Sequence, residues 1–196
     1  MAVSAEGQRA RMVVEKPIQN ATGSLPGFRK VGENVVLGID PGLRVTGYGL
    51  ISCTGSRFSL VEGGVIEGGG SAVSMAVRLR QLFEGLSALL TEFRPEAMAM
   101  EQLYSHYAHP RTAILMAHAR GVLTLAAAIS DVEVIDYSAT EVKSSLTGNG
   151  RATKEQMQTA IRYTLHLDQT PEPADVADAL AVALCHVHRM ADRRPG

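Results

Sequence analysis

The regular pattern of apolar positions begins near Val35. Val35–Asp40 (VVLGID) is a short apolar run that ends on an aspartate and a Pro-Gly pair, which predicts a buried strand running into a turn. Gly47–Ser52 and Phe58–Glu67 read as two further strands around a turn at Gly55–Ser56. A helical spacing then takes over at Met75, Leu79, Leu82, Leu86 and Leu89–Leu90. Ser71 is its expected cap, and Pro95 stops it after about Phe93. Ala97–Glu101 (AMAME) is a second apolar run closed by a carboxylate. Pro110 opens a helix to about Ile129, and Val132–Tyr137 is a fifth strand. Ser138–Leu146 is a short helix, followed by a Gly148-Asn149-Gly150 turn. Thr153 with Gln156 forms a capping box for a helix to about Leu165, and Pro171–Pro173 precede a last helix, Ala174–Met190.

Three consecutive strands predict an antiparallel meander, and strands that then alternate with helices predict parallel additions. The expected fold is therefore α/β, a mixed five-stranded sheet flanked by helices on both faces. If the fourth strand lies beside the first, their carboxyl ends adjoin where the strand order reverses, the place where open α/β sheets bind ligands. Residues 1–33 show neither period and are expected to be a flexible extension. Residues 34–191 form one domain, and residues 192–196 a short basic tail.

Composition narrows this little. The chain has 196 residues, 45% hydrophobic and 20% charged, as in an ordinary globular domain. A formal net charge of -1 excludes bulk positive charge, so any nucleic-acid site must rest on a local basic patch. Cys53 and Cys185 lack zinc-ligand spacing and read as a strand cysteine and a buried helix cysteine in a reducing compartment. No apolar run approaches the ~18 residues of a membrane span, and no secretory core opens the chain, so the expected location is cytoplasmic, with no membrane partner.

The candidate chemistry is carboxylate. Asp40 and Glu101 end the two strands that would adjoin, and Asp175 and Asp178 share one face of a helix's first turn. Each has a bland explanation: a turn residue at Asp40, a surface acid at Glu101, helix-dipole complementarity at Asp175 and Asp178. Together they suit a hard cation such as magnesium, which takes oxygen ligands and keeps several waters. Two such ions ~3.5–4 Å apart can activate a water and stabilise the leaving oxygen of a phosphodiester. His186 and His188, two apart on a helix, point to different faces and make poor zinc co-ligands.

Five stretches carry a family resemblance: LGIDPGLRVTGYGLI (Leu37–Ile51), AMEQLY (Ala99–Tyr104), ARGV (Ala119–Val122), EVKSSLTGNGRATKEQ (Glu141–Gln156) and PADVADALAVALCH (Pro173–His186). In this order and spacing, from about Val35 to His188, they resemble the RuvC crossover junction endodeoxyribonucleases. The resemblance implies a ribonuclease H-like fold and a homodimer that resolves four-way (Holliday) DNA junctions by paired, symmetric phosphodiester hydrolysis in recombination and repair. It also implies two Mg2+ ions per subunit, replaceable by Mn2+, and association with the RuvA–RuvB branch-migration complex. The family's catalytic, metal-holding acids fall on Asp40, Glu101, Asp175 and Asp178; some members carry a histidine at the position matching Asp175. Residues 1–33 depart from the family pattern.

The same resemblance gives meaning to positions that spacing leaves open. Tyr104 follows Glu101 by three residues, where family members place an aromatic that stacks on a base at the junction centre; such stacking contributes ~1–3 kcal/mol. A tyrosine packing the edge of the core is the alternative. Lys143, on the short helix, and Lys154, at the start of the capped helix beside Arg151, match positions where the family places lysines near DNA. A solvated surface lysine is the alternative at each. The helix Pro110–Ile129 is dense in small residues, with one face for the sheet and another for a twin subunit. Three rival functions stand beside this reading. A nuclease for structured RNA shares the fold. An actin-like or sugar-kinase fragment is suggested by LGIDPG, but the chain is too short for two lobes. A catalytically silent DNA-binding module is disfavoured by the intact acids.

Overall fold

The computed structural model describes residues 10–12, 34–55, 57–102 and 110–192, with the backbone path alone for 10–12 and 110–111. The elements are β1 (Ala10–Met12), β2 (Asn34–Asp40), β3 (Val45–Thr54), β4 (Arg57–Glu67), α1 (Met75–Phe93), β5 (Ala97–Glu101), α2 (Pro110–Ile129), β6 (Glu133–Tyr137), α3 (Ala139–Thr147), α4 (Lys154–Thr164) and α5 (Ala174–Asp192). The sheet order is β1-β4-β3-β2-β5-β6. Strands β2, β3 and β4 form the expected antiparallel meander. β5 joins β2 in parallel, and β6 joins β5 in parallel. The expected mixed five-stranded sheet thus carries one more strand, β1, paired antiparallel on its β4 edge.

Strand β3 runs two residues beyond the expected Gly47–Ser52 at each end, and helix boundaries moved too. Helix α1 is capped by Ser74, whose hydroxyl accepts from the Val77 N–H at 3.4 Å, and not by Ser71. The reason lies one turn inside the helix. The buried Arg78 guanidinium reaches back to the carbonyls of Gly68 at 3.1 Å, Gly69 at 2.6 Å and Gly70, holding that stretch as a loop. At the other end of the domain α5 runs through Asp192, the first residue of the expected tail.

The period of two along the strands sorts side chains between two cores. Leu37, Ile39, Tyr48, Leu50, Met98 and Met100 face α1 and α2. Val36, Ile51 and Ala99 face α3, α4 and α5. Asp40 has the parity of Val36, and Glu101 that of Ala99. Both therefore belong to the α5 side of the sheet. Since Ile39 pairs with Met100 in parallel register, the two acids follow as neighbours at adjoining strand ends.

Helix α2 corrects one expectation. Its stretch Thr112–Ile129 is long and apolar enough, by composition, to cross a membrane, although the sequence reading found no run of that kind. The helix interrupts it with His118 and Arg120, and the small residues between apolar positions hid the total. Ala119, Leu123, Ala126 and Ala127 are fully buried against the sheet core, while Ile114, Leu125 and Ile129 are 58%, 54% and 64% exposed.

Candidate active site

The site is built where β2 lies between an antiparallel and a parallel neighbour. Asp40 ends β2 opposite Gly47 on β3. A Cβ at Gly47 would lie 2.0 Å from the carbonyl oxygen of Asp175 and 2.9 Å from its Cβ, so only glycine lets the first turn of α5 rest on the strand there. Gly38, one step back on the same face, does the same for the next turns: its Cβ would lie 2.0 Å from the Ala179 carbonyl oxygen. These two close approaches bring Asp175 and Asp178 to the end of β2. The loop after Asp40 is pinned by buried Thr46, whose hydroxyl donates to the Gly42 carbonyl at 2.7 Å, and by the Gly68 N–H, which donates to the Arg44 carbonyl at 2.8 Å.

The electrostatics register the gathering. Burial, then the charges of Asp178, Asp175 and Glu101, push the Asp40 carboxyl up to about 7, against a smaller opposing pull from Lys154. Burial and Asp178 also raise Glu101, and Lys143 opposes them. Burial raises Asp178, with Lys154 opposing and Asp175 adding to the rise. Lys154 Nζ stands 3.7 Å from Asp178 Oδ2, both groups about half exposed. The structure thus joins six of the sequence-derived site residues: the four acids, Lys143 and Lys154. Lys154 is presented by the expected capping box, in which Thr153 and Gln156 bond each other's backbone N–H. Arg151 is exposed in the turn ahead of it, its N–H donating to Asn149 Oδ1 at 3.0 Å. Tyr104 lies outside the described residues.

The four acids offer only carboxylate oxygens, the donors a hard divalent cation prefers. Among the described residues no three histidine, cysteine or acidic side chains are already closed into a cage. Burial and mutual repulsion raise Asp40, Glu101 and Asp178, and a divalent cation among them would relieve that repulsion. His186 Nδ1 meets the Tyr137 hydroxyl at 2.8 Å and His188 Nδ1 meets the Ser145 hydroxyl at 3.2 Å, separate partners for the two histidines. Cys53 and Cys185 are both buried thiols.

Two arginines at the rim were not picked out as site residues from the sequence. Arg78 lines, with Arg44, Val73, Leu115 and Met116, a cavity of about 610 Å³ that opens beside Asp175. Arg120 on α2 donates to the Glu101 carbonyl at 2.5 Å and to the Asp136 carboxylate. The only signal for Arg120 was its place in the ARGV stretch; Arg78 had none.

A mixed sheet with acids at its reversal point and lysines beside them is an arrangement suited to holding a divalent cation against a phosphate. Comparison with known proteins narrows that reading. The family model described as crossover junction endodeoxyribonuclease RuvC matches residues 36–186. A crossover junction endodeoxyribonuclease RuvC from Rhodopirellula baltica is 53% identical over 150 residues, covering 76% of this chain and 84% of that protein. One from Alkaliphilus metalliredigens is 42% identical over 154 residues, covering 79% and 93%. A solved structure of Thermus thermophilus RuvC in complex with a Holliday junction substrate superposes with a TM-score of 0.77 at 32% identity, covering 81% of this chain and 96% of that one. This chain belongs to the RuvC family of crossover junction endodeoxyribonucleases and is a hydrolase.

Proposed function

We propose that the chain resolves four-way DNA junctions as a homodimer, each subunit hydrolysing one phosphodiester at Asp40, Glu101, Asp175 and Asp178. One observation carries this reading: Asp40 and Glu101, at adjoining strand ends, meet the first turn of α5 with Asp175 and Asp178, which rests on Gly47 and Gly38. Mg2+, two ions per subunit with Mn2+ as a substitute, would supply an activated water and charge stabilisation at the leaving oxygen. Asp40 and Glu101 present oxygens from the sheet, and Asp175 and Asp178 from the helix laid across it. Lys154 offsets the charge of Asp178 and Asp40, Lys143 that of Glu101. Both lysines, with Arg151, also provide the local basic patch that a net charge of -1 conceals. Tyr104 stacks on a base opened at the junction centre.

The second copy docks on α2. Its inner face is spent on the core, and Ile114, Leu115, Leu125 and Ile129 form an outer apolar row. A two-fold contact there sets two sites toward two symmetric strands, and symmetric nicks follow. By family resemblance the protein works beside the RuvA–RuvB branch-migration complex in the cytoplasm, and two buried thiols fit a reducing compartment.

A synthetic four-way junction, a linear duplex of the same sequence and an RNA hairpin, each incubated with Mg2+ or with chelator, test the reading. Paired nicks on the junction alone, abolished by chelator, are expected. Equal cutting of the hairpin would favour a nuclease for structured RNA.

A further inference from the structure

Glu101 is the last residue of β5, and its side chain must be aimed from a strand end. The ladder to β6 stops there: Glu101 pairs with Tyr137, and the Gln102 N–H donates to the Tyr137 carbonyl at 2.8 Å. Beyond that point the main chain is held from outside the sheet. Arg120, on α2, has a side chain only 16% exposed. One guanidinium nitrogen donates to the Glu101 carbonyl at 2.5 Å, and the other to the Asp136 carboxylate on β6. The fork therefore ties the ends of two strands to one helix.

We infer that Arg120 is a positioning residue for the metal site, fixing the backbone of Glu101 so that its carboxylate meets the cation in one orientation. This rests on the reading of Glu101 as a metal-holding acid. One feature separates positioning from charge compensation: the bond goes to the main-chain carbonyl and not to the carboxylate. Two features separate it from general packing. Asp136 is 43% exposed, so its own carboxylate does not need the guanidinium to offset burial. And the planar fork spans two acceptors at a fixed separation, which a lysine cannot reproduce. Partners of this kind, which orient a ligand without touching the metal, typically change metal affinity by roughly 10–100-fold.

The test is Mn2+ titration into metal-free protein, read by calorimetry and without substrate, for the parent chain, Arg120→Lys, Arg120→Gln and Glu101→Gln, beside melting curves. Expected is roughly tenfold weaker Mn2+ binding in both Arg120 variants, with Arg120→Lys melting close to the parent. Weakened binding in Glu101→Gln with unchanged binding in both Arg120 variants overturns the positioning role and leaves the site reading intact. Unchanged binding in Glu101→Gln removes Glu101 from the metal site and overturns both. Should Arg120→Gln fail to fold, Arg120→Lys and Asp136→Asn decide: parent-like Mn2+ affinity in both overturns the inference, and weaker binding in either supports it.

Discussion

Lys154 Nζ lies 3.7 Å from Asp178 Oδ2, a cation set against an acid of the cluster by the first turn of a neighbouring helix. The lysine lowers the proton affinity of both Asp178 and Asp40. Lys154→Ala should therefore move the pH for half-maximal cleavage upward, because metal then competes with more tightly held protons. If Lys154 also meets a phosphate, its loss should flatten the salt dependence of junction binding by about one ion. Lys143→Ala should flatten the same slope while acting on Glu101. Unchanged slopes in both variants would return the lysines to the solvated surface.

The pH dependence of stability has a definite sign. Asp40 holds its proton in the fold up to about 7, against an ordinary value of 3.8. Its contribution to stability is present in full below about pH 4 and is lost as pH rises through about 7, because the fold binds the proton more tightly than the open chain. Raised Glu101 and Asp178 act in the same direction. Metal-free protein should gain more in melting temperature from Mg2+ at pH 8 than at pH 5, and Asp40→Asn should lose most of that difference. An equal gain at both pH values would contradict the repulsion described for the cluster.

Gly38 and Gly47 are steric requirements of the site. A methyl at Gly38 would press 2.0 Å from the Ala179 carbonyl oxygen and 2.9 Å from the Ala183 Cβ, backbone and core that cannot swing aside. Gly38→Ala should destabilise by about 1–3 kcal/mol or more in urea unfolding. Gly47→Ala should lift Asp175 away from Asp40 and reduce Mg2+ affinity beyond its effect on folding. Parent-like metal binding in Gly47→Ala would show that α5 can shift without moving the acid.

The outer row of α2 should be separable from the chemistry. Leu125→Asp, at a position 54% exposed, should leave the fold and Mn2+ binding intact while shifting the protein to monomer in sedimentation. Junction products should change from paired to single nicks. A dimer that persists would place the two-fold contact elsewhere.

Much of this was legible before the structure. VVLGID and AMAME announced two buried strands because continuous apolar runs closed by an acid have few other readings, and their adjacency followed from topology. Helix caps with a reciprocal partner, as at Thr153 and Gln156, were also readable, whereas Ser71 and Ser74 compete at one helix start and only the Arg78 clamp decides between them. β1 has three residues, too few to show a period. The packing role of Gly38 and Gly47 and the reach of Arg120 across α2 depend on tertiary approach, which no spacing encodes. The search for a continuous apolar run missed α2, whose apolar residues are divided between a buried and an exposed face.

The central claim is that the four acids do the chemistry and not the gripping. Its most direct measurement is cleavage and binding of one synthetic junction by Asp40→Asn, Glu101→Gln, Asp175→Asn and Asp178→Asn in Mg2+. Each variant should bind the junction within a few-fold of the parent and cut it more slowly by more than the roughly 10–100-fold that losing an outer-shell partner costs. Near-parent cleavage by any one of them would remove that residue from the catalytic set, and near-parent cleavage by Asp40→Asn would contradict the account as a whole.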